Sequence, residues 1–352
     1  VVFWIGRIKL IPPFLFNFGK KKILIGTFTG LILAAGLCLF FISVNSEKAK
    51  VFIPNRLPAA EVLDSLPISR FGFLLQGLSI LPLIGKDSLG PGYYEIQAGR
   101  SVFQWYKTLV GNYQTPIRIT QPSFRTLNAL ASFWSAQLRL SSQDLLTYWY
   151  SSEFLTAQSI TADQLPCLFL PETYELYWTS TPEVLTHKAL ASYKKFWNAK
   201  RKGQAQALEL NPMEVCILAS IVQEESNLRD EQAVIAGVYL NRLKTGMKLQ
   251  ADPTVRFAVG DFSLNRILYT HLGINSPWNT YLNVGLPPGP INIPDRQTID
   301  QTLNAAQHGY IYFCALPDFS GKHAFSSDYG EHLRNAKAYQ NALNSLSQTT
   351  KP

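Results

Sequence analysis

Two adjacent carboxylates, Glu224 and Glu225, close the apolar first half of ILASIVQEESNLRDEQAVIAGVYLNRL, residues 217 to 243. Helical residues three and four apart share a face. Leu218, Ile221, Val222 and Glu225 therefore form one stripe with Glu225 at its C-terminal end, and Glu224 lies about 100° away, nearer the wet side. The negative end of the helix, mutual repulsion and partial burial all disfavour ionisation of the more buried acid. A glutamic acid kept protonated near neutral pH can donate its proton to a leaving-group oxygen. The alternative is a structural pair engaged in ion pairs with Arg229 or Arg242, and an isolated pair does not decide between these readings.

Polar groups downstream could complete a site. In LQADPTV, Gln250, Asp252 and Thr254 surround a proline turn, where Asp252 either caps or orients a neighbour or binds a sugar hydroxyl. Asn279, Thr280 and Tyr281 offer amide, hydroxyl and ring groups suited to a sugar, although a satisfied loop network accounts equally for Asn279. GLPPGPI, 285 to 291, joins glycines that permit tight turning to prolines that fix it; it either lines a cleft, holding Asn292 against a ligand, or is a plain turn. His323 reads as a ligand-binding or orienting group and His332 as a helix-start hydrogen-bonding group. They have no third ligand at metal-binding spacing and no serine and aspartate company for an acyl-transfer triad.

The elements that must position these groups are legible in part. Asn211, Pro212 and Glu214 form a helix start in which Asn211 caps and Glu214 closes the box, with the helix running to about Ser226. A second helix begins at Asn227, with Asp230 three residues on, and ends at LKTG near Leu243. Upstream, GYYEIQAG (92 to 99), SVFQWYKTLVGNYQ and PIRITQ predict a strand, a helix and a strand that together close a small unit. Helices follow in SFRTLNALASFWSAQL and SSQDLLTYWYSSEFL, a short strand in PCLFLPETYEL (166 to 176), and a charge-rich helical surface segment from about 181.

The chain has 352 residues, 47% of them hydrophobic. Ile23 to Val44 carry no charge, enough for a helix to cross about 30 Å of hydrocarbon. Five basic residues precede this stretch and the first acidic one is Glu47, which predicts a cytoplasmic N-terminus. Most of the net charge of +8 lies before the stretch. The near balance beyond it, without interleaved aromatic and basic residues, argues against nucleic acid as a partner. Cys167, Cys216 and Cys314 are too widely spaced for a metal knuckle or a redox pair and read as buried free thiols.

QEES at 223 to 226, NRLKTGMKLQADPTVRFAVG, SPWNTYLNVGLPPGPINIP and GYIYFCALPDFSGKHAFSSDYGEH together resemble the endolytic murein transglycosylases (YceG-like), membrane-anchored bacterial enzymes that cut nascent peptidoglycan. PETY at 171 to 174 resembles the family's PDTY block. The resemblance covers nearly all of the chain beyond the apolar stretch and is strongest after 211. It implies that Glu225 is the catalytic acid, since the second glutamate of the family's EKE falls there, while Gln223 replaces the first and Glu224 the lysine. Glu225 and Ser226 also resemble the Glu-Ser pair at the catalytic helix end of lysozyme-like lytic transglycosylases. Trp278 stands where the family usually has tyrosine and leaves a platform aromatic in place.

From this resemblance follow several expectations. The fold is α+β, with a single N-terminal transmembrane helix, a small LysM-like α/β module and a C-terminal mixed catalytic domain bearing the acid on a helix end. The segments are a cytoplasmic basic segment 1 to 22, a transmembrane helix 23 to 44, a membrane-proximal region 45 to 165 with the LysM-like module near 90 to 120, a linking segment 166 to 210, and a catalytic domain 211 to 345. Gln250, Asp252, Asn279, Tyr281, Asn292 and His323 bind substrate, with Glu224, Ser226, Arg242 and Trp278 supporting. The reaction needs no cofactor or metal. It leaves 1,6-anhydromuramyl ends and terminates glycan elongation on the periplasmic side of the inner membrane, with peptidoglycan synthases as partners. The rival readings are a non-catalytic murein-binding protein and a murein hydrolase or amidase.

Overall fold

A computed structural model describes Gly30 and residues 47–64, 88–264 and 266–349. The apolar stretch 23 to 44, apart from Gly30, and the basic segment before it lie outside these residues. Among the described residues no single helix is long and apolar enough to cross a membrane. The chain divides into two compact units after Pro116.

In the first unit, β1 (Ala49–Ile53) pairs antiparallel with β4 (Gly92–Ile96), placing Val51 opposite Tyr94. A short ribbon of β2 (Leu57–Pro58) and β3 (Ser88–Leu89) lies between them in sequence, followed by α1 (Ala59–Asp64) after β2. Helix α2 (Val102–Val110) starts on a capping box between Ser101 and Gln104. Val51, Ile53, Tyr94, Trp105 and Leu109 form the core. The expected strand at 92 and the helix after it are present. The expected closing strand is not part of this unit: β5 (Ile117–Gln121) pairs with β6 (Glu172–Leu176) in the second one.

The reason lies in what β5 buries. Ile119 joins the core of Leu130, Trp134, Leu145, Trp149, Phe169 and Tyr174. Gln121, 1% exposed, accepts from Trp134 Nε1 at 3.1 Å and donates to the Phe169 carbonyl at 2.9 Å. A ladder joining residues 117 to 121 with 172 to 176 crosses the expected boundary at 165. Residues 117 to 210 accordingly belong with the rest of the second unit, and the segment 166 to 210 packs into it through Leu168, Leu170, Leu185 and Phe196. The helices of this half are α3 (Leu127–Gln137), α4 (Ser142–Trp149), α5 (Ser152–Gln158), α6 (Pro182–Phe196) and α7 (Ala199–Ala207), with a 3-10 helix at Ala162–Leu168.

Helix α8 (Pro212–Glu225) begins as its sequence predicts. Asn211 accepts from the N–H groups of Met213 and Glu214, and Glu214 accepts from the Asn211 N–H. Every residue from Val215 to Val222 is buried, so this helix is apolar all round because it is enclosed all round. Helix α9 (Arg229–Lys244) starts one residue later than an Asn227 cap would place it. Leu228 holds the cap position, and the Ser226 hydroxyl accepts the Leu228 N–H at 3.1 Å. Gly246, at φ +67°, lies just past the end of the helix. Helices α10 (Asp252–Val259) and α11 (Arg296–Leu303), the hairpin of β7 (Tyr312–Ala315) and β8 (His323–Ser326), and α12 (Tyr329–Thr349) complete the unit. Leu218, Ile221 and Val222 of α8 meet Ile235, Ala236 and Tyr239 of α9, together with Leu249, Ala251 and Ile291.

Candidate active site

The end of α8 separates its two carboxylates. Glu224 turns to segments from distant parts of the chain: Oε2 accepts from Arg125 Nη2 at 2.8 Å and Oε1 from Asn292 Nδ2 at 2.9 Å. Gln223 does similar work, accepting the Asp295 N–H at 2.6 Å and donating to the Ser123 hydroxyl at 3.3 Å. The backbone continues the clamp, with Ile293 N–H donating to the Phe124 carbonyl at 2.7 Å. Glu224 is therefore a structural carboxylate, but its ion pair is with Arg125 and not with Arg229 or Arg242.

Glu225 points the other way. Its Oε1 accepts from the Tyr239 hydroxyl at 2.6 Å, across the α8–α9 contact. It keeps some accessible surface, yet the protein atoms around the carboxyl are dense enough to exclude most of its hydration. Burial is the main cause that raises its pKa from an ordinary 4.5 to about 7; the Asp252 charge adds to this, while the Tyr239 hydrogen bond, Arg242 and Arg256 oppose it. The acid thus holds its proton well above the ordinary carboxylate range, the condition for a general acid that must later act as a base. Tyr239 is itself pushed far up, mainly by burial and then by the Glu225 charge, so its proton stays on and it remains a donor.

Arg242, 7% exposed, lies one turn beyond Tyr239 on α9. It donates from Nε to the Ile311 carbonyl at 2.7 Å and from Nη1 to the Leu249 carbonyl. Its guanidinium ties the hairpin and the start of the 250 loop to α9, a supporting role reached through carbonyls. Thr280 accepts the Ala251 N–H and shares a hydrogen bond with Thr254, while the Thr280 carbonyl accepts the Gln250 N–H. The two motif blocks LQADPTV and SPWNTY are one knitted structure. Asp252, exposed at the first turn of α10, accepts from the Tyr281 hydroxyl at 2.6 Å. Tyr281 is half-buried, and burial, that hydrogen bond and the charges of Asp252 and Glu225 raise its pKa. Gln250 is exposed with a left-handed backbone at φ +48°.

Three expected ligand groups have other duties. Asn279 is fully buried; its amide donates to the Leu272 and Ile274 carbonyls, both at 2.9 Å, and its oxygen accepts the Tyr281 N–H. Asn292, 1% exposed, spends its donors on Glu224 and the Ser220 carbonyl. The His323 backbone N–H and ring Nδ1 both lie 2.8 Å from Glu231, which as a carboxylate only accepts, so Nδ1 carries the proton. Asn279 and His323 build the scaffold because a buried amide or imidazole finds partners locally, whereas Asn292 spends only its donors there and its Oδ1 is buried with no hydrogen-bond partner. His332 stacks on Tyr312, 5.1 Å between centroids, and its backbone N–H donates to the Asp328 carbonyl at 3.1 Å at the start of α12.

The proline-rich loop is packed more tightly than a free turn. Trp278 Nε1 donates to the Gly289 carbonyl at 3.1 Å, and a Cβ at Gly289 would lie 2.0 Å from the Asp163 carbonyl oxygen. Ser226, 5% exposed, closes the helix end and its carbonyl accepts from Gln232. Sequence reasoning missed Tyr239, Arg125 and Glu231. Tyr239 carried one usable signal, a hydroxyl on the buried Ile235, Arg242 face of α9; Arg125, 99 residues from Glu224, carried none. Among the described residues no group of three His, Cys, Asp or Glu side chains could hold a metal ion. Cys167 and Cys216 are free and buried, and Cys314 is free and half-buried.

The chain is 32% identical over 166 residues to the endolytic murein transglycosylase of Bacillus subtilis (strain 168), covering 47% of this chain and 45% of that one. It is 30% identical over 176 residues to the endolytic murein transglycosylase of Streptococcus pneumoniae serotype 2 (strain D39 / NCTC 7466), covering 49% of this chain and 32% of that one. The match therefore spans less than half the length of either relative. The crystal structure of a yceG-like protein from Listeria monocytogenes superposes with a TM-score of 0.55 at 25% identity, covering 82% of this chain and 98% of that one. The model of the YceG-like family matches residues 44–338, and with the Glu225 helix end, the knitted 250 and 280 blocks and the 312 to 326 hairpin all inside that match, the chain belongs to the YceG-like family.

Proposed function

We propose that the protein cleaves the glycosidic bond between N-acetylmuramic acid and N-acetylglucosamine within peptidoglycan strands, forming 1,6-anhydromuramyl ends. The observation that carries this reading is Glu225: a carboxyl raised to about 7, hydrogen-bonded by Tyr239 and free of the ion pair that holds its neighbour. The names of the two relatives support the substrate class. Glu225 protonates the glycosidic oxygen, the C1–O bond breaks with its electron pair passing to that oxygen, and the muramyl C6 oxygen attacks C1. The C6 hydroxyl proton returns to Glu225, so one carboxylate serves both steps and no water nucleophile is required. This differs from glycosidases in which a second carboxylate acts as nucleophile or activates water.

Tyr239 fixes which oxygen of Glu225 faces the reaction, because it occupies Oε1 and leaves Oε2 to carry the proton. Gln250, exposed beside the knitted turn, and the half-buried Tyr281 are the groups best placed to meet sugar hydroxyls and ring faces. The charge-free stretch 23 to 44 and its basic flank support an inner-membrane anchor with the second unit on the periplasmic side. There the enzyme would end glycan elongation beside peptidoglycan synthases, with the 47–116 unit as a LysM-like glycan-positioning module.

The test is incubation of the purified full-length chain with uncrosslinked glycan strands, with mass spectrometry of the new ends. Anhydromuramyl ends from wild type but not from folded Glu225→Gln are expected. Reducing muramyl ends would instead identify a hydrolase, freed stem peptides an amidase, and absence of any product a murein-binding protein.

A further inference from the structure

Cys167 and Cys216 come from distant parts of the chain and meet in one closed cluster. Cys167 lies in the 3-10 helix Ala162–Leu168, Cys216 lies in α8, and both are fully buried. With Ile217 they form a small core of their own, on which Met213 and Leu286 of the proline-rich loop also pack. Cys167 Sγ lies 4.0 Å from the Met213 carbonyl oxygen. Met213 and Cys216 are three residues apart on α8 and so share a face, which sets both thiols against the same turn. Tyr193 of α6 reaches that turn too, its hydroxyl donating to Met213 Sδ at 3.9 Å.

A single buried cysteine behaves as a small hydrophobe and needs no further account. Two that pack together from separate elements differ, because that juxtaposition is what a disulfide requires. Cys314, half-buried on β7, is not part of the cluster. We infer that Cys167 and Cys216 are a disulfide-forming pair, a staple between the 3-10 helix and α8, the helix that carries Glu225. The inference goes beyond the proposed cleavage reaction and rests on the periplasmic location in that reading, since disulfides persist in oxidising compartments.

The step is exchange with a protein or small-molecule disulfide. One cysteine thiolate attacks that disulfide and displaces one of its sulfurs as a thiol. The second thiolate then attacks the mixed disulfide, and the other sulfur leaves as a thiol. The two cysteines lose two protons and two electrons, and the reagent gains them. Burial, together with the neighbouring Cys216, pushes the Cys167 thiol well above its ordinary range, so the closed fold holds little of the thiolate that exchange needs. The bond therefore forms while the chain folds, before the cluster shuts, and the same burial then shields it from reductants. It closes a loop of about 50 residues and removes that freedom from the unfolded chain. It also secures the 3-10 helix at the place where the Asp163 carbonyl meets Gly289.

The experiment uses the full-length chain. In one arm, cells making it are quenched in acid and all free thiols are labelled with N-ethylmaleimide in urea. In the other, the reduced, urea-unfolded chain is refolded in reduced and oxidised glutathione and then labelled in the same way. Peptide mass spectrometry should find Cys167 joined to Cys216 in both arms, with Cys314 carrying the label. The linked chain should melt about 5 to 10 °C above the chain kept in reductant. Cys167→Ala and Cys216→Ala should each abolish that difference and Cys314→Ala should preserve it, while the wild-type comparison needs no variant to fold. Both thiols labelled after refolding, or a linked chain that melts no higher than the reduced one, would overturn the inference. A link on refolding but label in cells would defeat the periplasmic location and leave the pair standing. Glycan cleavage is assayed on the same samples: a linked chain without anhydromuramyl products defeats the proposed function alone, and product from a chain with both thiols labelled defeats the pair alone.

Discussion

Replacing Glu225 with glutamine should remove activity and yet stabilise the fold, by an amount that depends on pH. Below about pH 4.5 the wild-type carboxyl is protonated in both the folded and the unfolded chain and has no effect on their balance. Between an ordinary 4.5 and about 7 the unfolded chain has released the proton while the folded chain still holds it, so stability falls with rising pH and stays low above that window. At 1.36 kcal/mol per pKa unit the window corresponds to about 3 kcal/mol. Because Glu225 keeps some accessible surface, screening by solvent brings the expected penalty to about 2 kcal/mol. Glutamine is neutral throughout and its side-chain oxygen can still accept from Tyr239. Urea unfolding of the two full-length proteins, followed by tryptophan fluorescence, should therefore coincide near pH 4.5 and separate by about 2 kcal/mol at pH 8, with the variant the more stable. A constant difference across that range, or a variant less stable at pH 8, would refute the burial argument for Glu225.

Three other perturbations test the surrounding structure. Tyr239→Phe keeps the ring against Phe313, 5.9 Å away, and removes a hydrogen bond that favours the ionised Glu225; the alkaline limb of the pH–rate profile should rise by roughly half a unit to one unit. Glu224→Gln should still produce anhydromuramyl ends while losing about 1–2 kcal/mol of stability in denaturant unfolding, since Arg125 loses its charged partner. Gly289→Ala forces the proline-rich loop away from Asp163; a displacement of about 1 Å carried to the Trp278 side of the site would cost about 100-fold in turnover, measurable as kcat with Glu225 intact.

The sequence by itself determined the start of α8, because Asn211, Pro212 and Glu214 are neighbours and satisfy one another's backbone groups. It also determined that Glu225 sits at the end of the Leu218, Ile221, Val222 stripe, which follows from helical geometry alone. The family was likewise legible in ordered blocks from 223 to 332. Only the tertiary structure decided which carboxylate is structural, because Arg125 and Asn292 reach Glu224 from 99 residues upstream and 68 downstream. It also decided where the donors of Asn279, Asn292 and His323 go, and that β5 belongs with β6 and not with the strand at 92. A residue's type and spacing state what it is able to bind. Which partner it takes is settled by burial, since an enclosed amide, imidazole or strand edge must be satisfied by whatever group the fold brings beside it.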